Sequence, residues 1–284
     1  MLIPDDVRKC VAFVGLKLAD GTFRLAGSVF FLGRDKPGEP QADPVYAVTA
    51  RHVIDGIRGT GVEDIWLRLN LKDGDAKWFQ TRINDWFSHP IDQSIDVSIL
   101  KTGLDTAFDH LVFPYSLCIT DEKMNENEVG LGDEVFITGM FRHHHGTRRN
   151  IPIVRVGNIA CMTEEKITTK SFGEMDAYLV EARSIGGLSG SPVFLNLGIA
   201  RIINQQMKFA SGSQIYYLFG LVHGHYDVEA GEIDSLETED RSDSESHDRV
   251  NTGIAMVVPF RNIDSVIIAH EADELNGLGS VYPW

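Results

Sequence analysis

Ser189, His52 and Asp96 are of the types that together can make an activated nucleophile. A serine hydroxyl is a poor nucleophile alone; it needs a base within hydrogen-bond reach, and the base needs a group that orients it. Ser189 sits in SIGGLSGSPVF (184–194), where glycines crowd around the serine. Glycine permits sharp turns and lets a second molecule approach the main chain. A linker would hold the same glycines, but it would not run at once into the apolar PVFLNLGIA. His52 stands in YAVTARHVID, just after a strand-like run. Asp96 opens the apolar DVSIL of SHPIDQSIDVSIL, where its carboxylate can be buried and oriented. Asp92 competes for that role from a loop, which would hold it less firmly.

Positioning these residues falls to short alternating runs rich in Val, Ile, Phe and Tyr, among them CVAFVGLKL, TFRLAGSVFFLG, DIWLRLNL, DEVFITGMF, PIVRVGNIA and IYYLFGLVHG. Strands at that spacing predict an all-β sandwich or barrel. Helical periodicity is confined to NIDSVIIAHEADELN near the end. There Ile263, Val266 and Ile267 share one face and Ile268, Ala272 and Leu275 another. The polar CITDEKMNENEVGLG (118–132) marks a boundary between two strand-rich halves, 1–120 with His52 and Asp96 and 121–284 with Ser189.

At these motifs the chain resembles the trypsin-like serine proteases. TARHV is similar to that family's Thr-Ala-Ala-His motif, DVSIL to its aspartate strand, and GLSGSP to its Gly-x-Ser-Gly-Gly-Pro loop. The order His52, Asp96, Ser189 is the family's order, and supporting likeness runs over about residues 11–260. The resemblance implies two antiparallel six-stranded β-barrels packed face to face, with a short C-terminal helix. It implies a serine endopeptidase in which Ser189 attacks, His52 moves the proton and Asp96 holds the histidine. It places the oxyanion donors at the N–H groups of Gly187 and Ser189. It also places Arg183 and Ser184 at the floor of a substrate pocket, with His223, Gly224 and His225 on a wall strand. A cationic floor would favour an acidic substrate side chain.

The departures matter. Leu188 stands where the zymogen-activated members carry an acid or amide before the nucleophile, and the N-terminus that pairs with that acid is missing. The resemblance is therefore to intracellular bacterial or viral members, without activation by cleavage. Leu188 also favours the rival reading, a catalytically idle protease-fold protein that binds a peptide or partner through the same cleft. An α/β-hydrolase esterase fails on order, since that fold places its serine before its histidine.

Composition sets the outer limits. A net charge of -15 argues against a nucleic-acid partner, which needs basic surface. No apolar run reaches membrane-spanning length, and the start carries no signal-like segment, so a cytoplasmic protein acting on protein or peptide substrates is expected. Cys10, Cys118 and Cys161 are odd in number and widely spaced, as expected of reduced core thiols. No metal or cofactor is expected, because the run His143, His144, His145 lacks the spacing of a ligand set. Residues 227–248 carry ten acids against Arg241 alone, an acidic insertion. The basic FRHHHGTRRN (141–150) is its charge complement, and a contact between the two beside the cleft would regulate access.

Overall fold

Strand-forming runs between turn residues become eighteen strands in the computed structural model, which describes residues 3–34, 44–141, 145–162, 164–169, 172–182, 188–209, 216–229 and 249–277. The first half is one sheet. It contains β1 (Val11–Lys17), β2 (Phe23–Gly33), β3 (Val45–Thr49), β4 (Asp64–Asn70), β5 (Ala76–Arg82), β6 (Phe87–Ser88), β7 (Ser98–Thr102) and β8 (Phe113–Pro114). The order is β5-β4-β1-β2-β3-β7-β6, with β8 paired to β2. β1 and β3 are buried along almost their whole length.

The second half closes. β9 (Glu134–Met140), β10 (Pro152–Met162), β13 (Tyr178–Glu181), β14 (Pro192–Asn196), β17 (Tyr216–Glu229) and β18 (Arg249–Pro259) form a barrel in the order β10-β13-β18-β17-β14-β9. Two small hairpins stand off it, β11 (Ile167–Thr169) with β12 (Gly173–Met175) and β15 (Ala200–Ile203) with β16 (Gln206–Phe209). Phe136 and Phe194 stack at 5.0 Å in its interior, and Tyr178 stacks on Phe219 at 4.8 Å. Each such buried ring contributes about 1.5–3 kcal/mol relative to exposure.

The structure thus has one closed six-stranded barrel and one open, half-barrel sheet where two closed barrels were expected. The opening lies between β5 and β6. A 3-10 turn, Ile83–Asp85, carries the chain from one to the other, and β6 has only two residues with which to pair. Packing replaces the missing ladder: Ile83 and Trp86 are buried, Ile83 N–H donates to Glu63 O at 2.9 Å, and Trp86 Nε1 donates to Thr81 Oγ1 at 3.0 Å. A cavity of about 850 Å³ lies in this half, lined by Phe31, Leu67, Phe79 and Phe108 among others. None of Ser189, His52 and Asp96 lines it.

Three α-helices join these strands among the described residues: α1 (Arg51–Arg58), α2 (Asp121–Glu126) and α3 (Phe260–Leu275). Sequence periodicity found only the last. α1 and α2 have eight and six residues, about two turns each, too short for a periodic pattern to register. On α3, Ile263, Val266 and Ile267 are buried as expected, whereas Ile268 and Leu275 on the other apolar face are exposed. The helix ties the halves together, since Lys101 Nζ pairs with Glu274 at 2.8 Å and Arg34 Nε with Glu271 at 3.0 Å.

Residues 230–248, most of the acidic insertion, lie outside the described residues, so its contact with the basic loop is not seen. The described part of that loop binds the first sheet. Arg148 pairs with Asp75 at 3.1 Å, Arg149 with Asp109 at 2.8 Å, and Arg68 donates to the carbonyls of His145 and Thr147.

Candidate active site

The antiparallel register of β3 with β7 brings the first two residues together. Thr49 lies opposite Ser98, so Asp96, two residues before Ser98, falls beside the start of α1. α1 begins directly after the fully buried Ala50, and its Val53, Ile54 and Ile57 anchor it in the core. No side chain at Ala50 caps the helix. Asp96 supplies the cap from across the sheet: its Oδ1 accepts the His52 N–H at 2.8 Å, satisfying a helix-end donor that would otherwise be orphaned. Its Oδ2 lies 2.8 Å from His52 Nδ1. Asp96 is fully buried, while Asp92, the competing carboxylate, is exposed and holds the Ser94 turn instead.

A second imidazole reaches the same oxygen. His223 Nδ1 lies 2.5 Å from Asp96 Oδ2, and the His52 and His223 rings meet edge to face at 4.8 Å. β17 delivers it through a bulge. Val222 pairs with Val257 and Gly224 with Met256, which leaves His223 outside the ladder and turned inward at 5 % exposure. Burial pushes the Asp96 carboxyl up, but the hydrogen bonds from His223 and His52, with the charges of those rings, outweigh it and hold it at about 2. The ligand atoms of His52, Asp96 and His223 all lie within 4.8 Å of one another.

Ser189 is set by backbone bonds across the two halves. Ser28 N–H donates to Ser189 O at 2.9 Å, Gly190 N–H to Val222 O at 2.8 Å, and Ser191 N–H to Leu188 O at 2.9 Å. Gly190 adopts φ +82°, and a Cβ there would fall 2.2 Å from Ser28 O and 2.3 Å from Thr49 Oγ1. Only glycine lets the turn press against the end of β3, one residue from the entry to α1. Leu188 is buried against Gly139 of β9, where it packs as a core residue. The Ser189 hydroxyl donates to the His223 carbonyl at 2.9 Å and not to the His52 ring. Among the described residues no acceptor takes the Ser189 N–H.

The structure therefore brings His52 and Asp96 into direct contact and places Ser189 on the backbone of His223. Gly187, Arg183 and Ser184 lie outside the described residues. Gly224 and His225 are partly exposed on β17, with open space beyond the Gly224 Cα. Sequence reasoning assigned His223 to a pocket wall and missed its ring on Asp96. The only signal was the alternation in HGH, and a bulge, which sequence alternation does not reveal, reverses the side on which such a residue points.

No protein-family model matches this chain, and no curated protein matches it in sequence. Among solved structures it is similar to the MamO protease domain from Magnetospirillum magneticum (apo form), with a TM-score of 0.51 at 14% identity over 92% of this chain and 97% of that one. It is also similar to Deg5, with a TM-score of 0.48 at 14% identity over 91% of this chain and 87% of that one. The first likeness is one of fold alone, the fold of that protease domain.

Proposed function

We propose that the chain is a serine endopeptidase acting on protein or peptide substrates through Ser189, His52 and Asp96. The observation that carries this reading is the double contact of one buried carboxylate with His52, at the helix N–H and at ring Nδ1, both at 2.8 Å. With Nδ1–H donated to Asp96, the His52 Nε2 lone pair is left to take a proton. The reaction requires the Ser189 hydroxyl to leave the His223 carbonyl and donate to that nitrogen instead. Ser189 Oγ then attacks the peptide carbonyl as its proton passes to His52, which returns it to the leaving amine; water repeats the sequence on the acyl-enzyme.

The Ser189 N–H, with that of Gly187, would stabilise the oxyanion, each donor contributing about 2.7–4 kcal/mol. Arg183 and Ser184 at the pocket floor, with Gly224 and His225 on its wall, would select the substrate side chain. The three cysteines are free, which supports a reducing, cytoplasmic setting. Among the described residues no helix is long and apolar enough to cross a membrane.

A second reading, a protease-fold protein that binds a peptide without cleaving it, is favoured by one observation: the Ser189 hydroxyl rests on the His223 carbonyl. Turnover of a fluorogenic peptide library separates the two. The first reading requires cleavage that disappears in Ser189→Ala. Peptide binding without cleavage, equal in both proteins, supports the second.

A further inference from the structure

The proposed hydrolysis uses one imidazole on Asp96, and the chain supplies two. Both approach the same oxygen, Oδ2, from His52 at 2.8 Å and from His223 at 2.5 Å. As a purely protonic arrangement this places two N–H donors on one oxygen atom, while Oδ1 is occupied by the His52 N–H. A single divalent ion would satisfy all three side chains at once. Two imidazole nitrogens and one carboxylate oxygen are a borderline donor set suited to first-row transition ions rather than to magnesium or calcium.

We infer that His52, Asp96 and His223 form a site for a divalent first-row transition metal, and that its occupation is an idle state of the same centre. At a metal–ligand distance of about 2.0–2.1 Å, the 2.8 Å separation of His52 Nδ1 and Asp96 Oδ2 subtends about 85–90°, the angle between two neighbouring octahedral ligands. His223 must recede by a few tenths of an ångström to reach the same angle, and the three ligand atoms, now within 4.8 Å of one another, must close so that the two ring nitrogens lie no more than about 4.2 Å apart, the span of one ion. Access is from the His52 side, whose side chain is 34 % exposed; Asp96 is buried and the Phe172 ring closes over His223 at 5.6 Å.

Binding needs no net release of protons. Each ring moves its proton from Nδ1 to Nε2 and offers the Nδ1 lone pair to the ion, while Asp96 stays anionic. His52 then presents an N–H toward the cleft where the proposed reaction requires a lone pair. That consequence rests on the proposed triad; the metal site itself does not.

Cobalt(II) titration of the full chain, followed by visible d–d absorption and by calorimetry, tests the site directly. Saturation at one equivalent is expected, with Ser189→Ala binding as tightly as the parent. His223→Ser and His52→Ala should each weaken binding by about 100-fold or more. Circular dichroism checks the fold of each variant, and the half-exposed His52 position serves if the His223 change unfolds the chain. Absence of saturable uptake overturns the inference, as does undiminished binding in either folded variant. So does binding that is lost on replacing His143, His144 and His145 by alanine, which moves the site to the histidine run. Because metal uptake is read without any substrate, none of these outcomes depends on whether the chain is a hydrolase.

Discussion

His52 and His223 meet edge to face, ring centroids 4.8 Å apart, over a single carboxylate oxygen of Asp96. One ring arrives on a helix capped by that same aspartate, the other on a bulge of the barrel. Asp96 is thus the point at which the two halves share a buried charge, and changes to it or its partners have separable consequences for stability and chemistry.

Asp96→Asn separates the two roles. An asparagine carbonyl oxygen still accepts the His52 N–H, so the loss of stability should be confined to about 1–2 kcal/mol from weaker capping and ring contacts. Its amide cannot accept the Nδ1–H that sets the His52 tautomer, and kcat should fall by about 10⁴. Urea denaturation and steady-state peptide kinetics on one preparation measure both; equal kcat in the two proteins contradicts the tautomer role.

Acid should remove the contribution of Asp96 in a defined window. Its carboxyl is depressed to about 2, below the usual value of about 3.9, so the stabilisation is complete above about pH 4. It is lost as pH falls from there toward 2, because the unfolded chain takes up a proton that the folded one refuses. His223→Ser shortens this gap. The variant should be about 1–3 kcal/mol less stable at pH 7, a difference that shrinks toward zero near pH 2. Denaturation curves at both pH values check it, and a pH-independent difference counts against the linkage.

Much of this centre is legible in the sequence, and the parts that are not have physical causes. Residue types and motif order point to His52 and Asp96, which the structure places in contact, and to Ser189, which rests on the His223 carbonyl; alternation is enough to find the long strands. The contact of His223 with Asp96 depends on a slip between β17 and β18, a pairing between distant segments that no local pattern encodes. The half-barrel is likewise hidden, since no local pattern shows that the turn at Ile83–Asp85 leads β5 and the two-residue β6 to opposite edges of an open sheet. α1 escapes because its apolar set, Val53, Ile54 and Ile57, fills barely one turn of a stripe.

Gly190→Ala tests the junction at the nucleophile turn. The added methyl would lie 2.2 Å from Ser28 O in a backbone conformation that side chains avoid. A loss of at least about 2 kcal/mol is expected, with activity falling more than stability because Ser189 is displaced. Thermal melts and kinetics are the readouts; a neutral substitution would mean that the turn does not press on the end of β3.

Leu188→Ala addresses the residue before the serine. Leu188 is 1 % exposed and packs on Gly139, so truncation should cost about 2–5 kcal/mol, the usual range for a buried leucine. A loss below about 1 kcal/mol, read from urea denaturation, contradicts its placement in the core.

The central claim is that Ser189 is a nucleophile activated by His52. Reaction of the purified chain with a fluorophosphonate, followed by mass mapping of the modified peptide, tests it most directly. One adduct is predicted, on Ser189, absent in Ser189→Ala and slowed by orders of magnitude in His52→Ala. An adduct on another serine, or none on a folded, metal-free protein, contradicts the account.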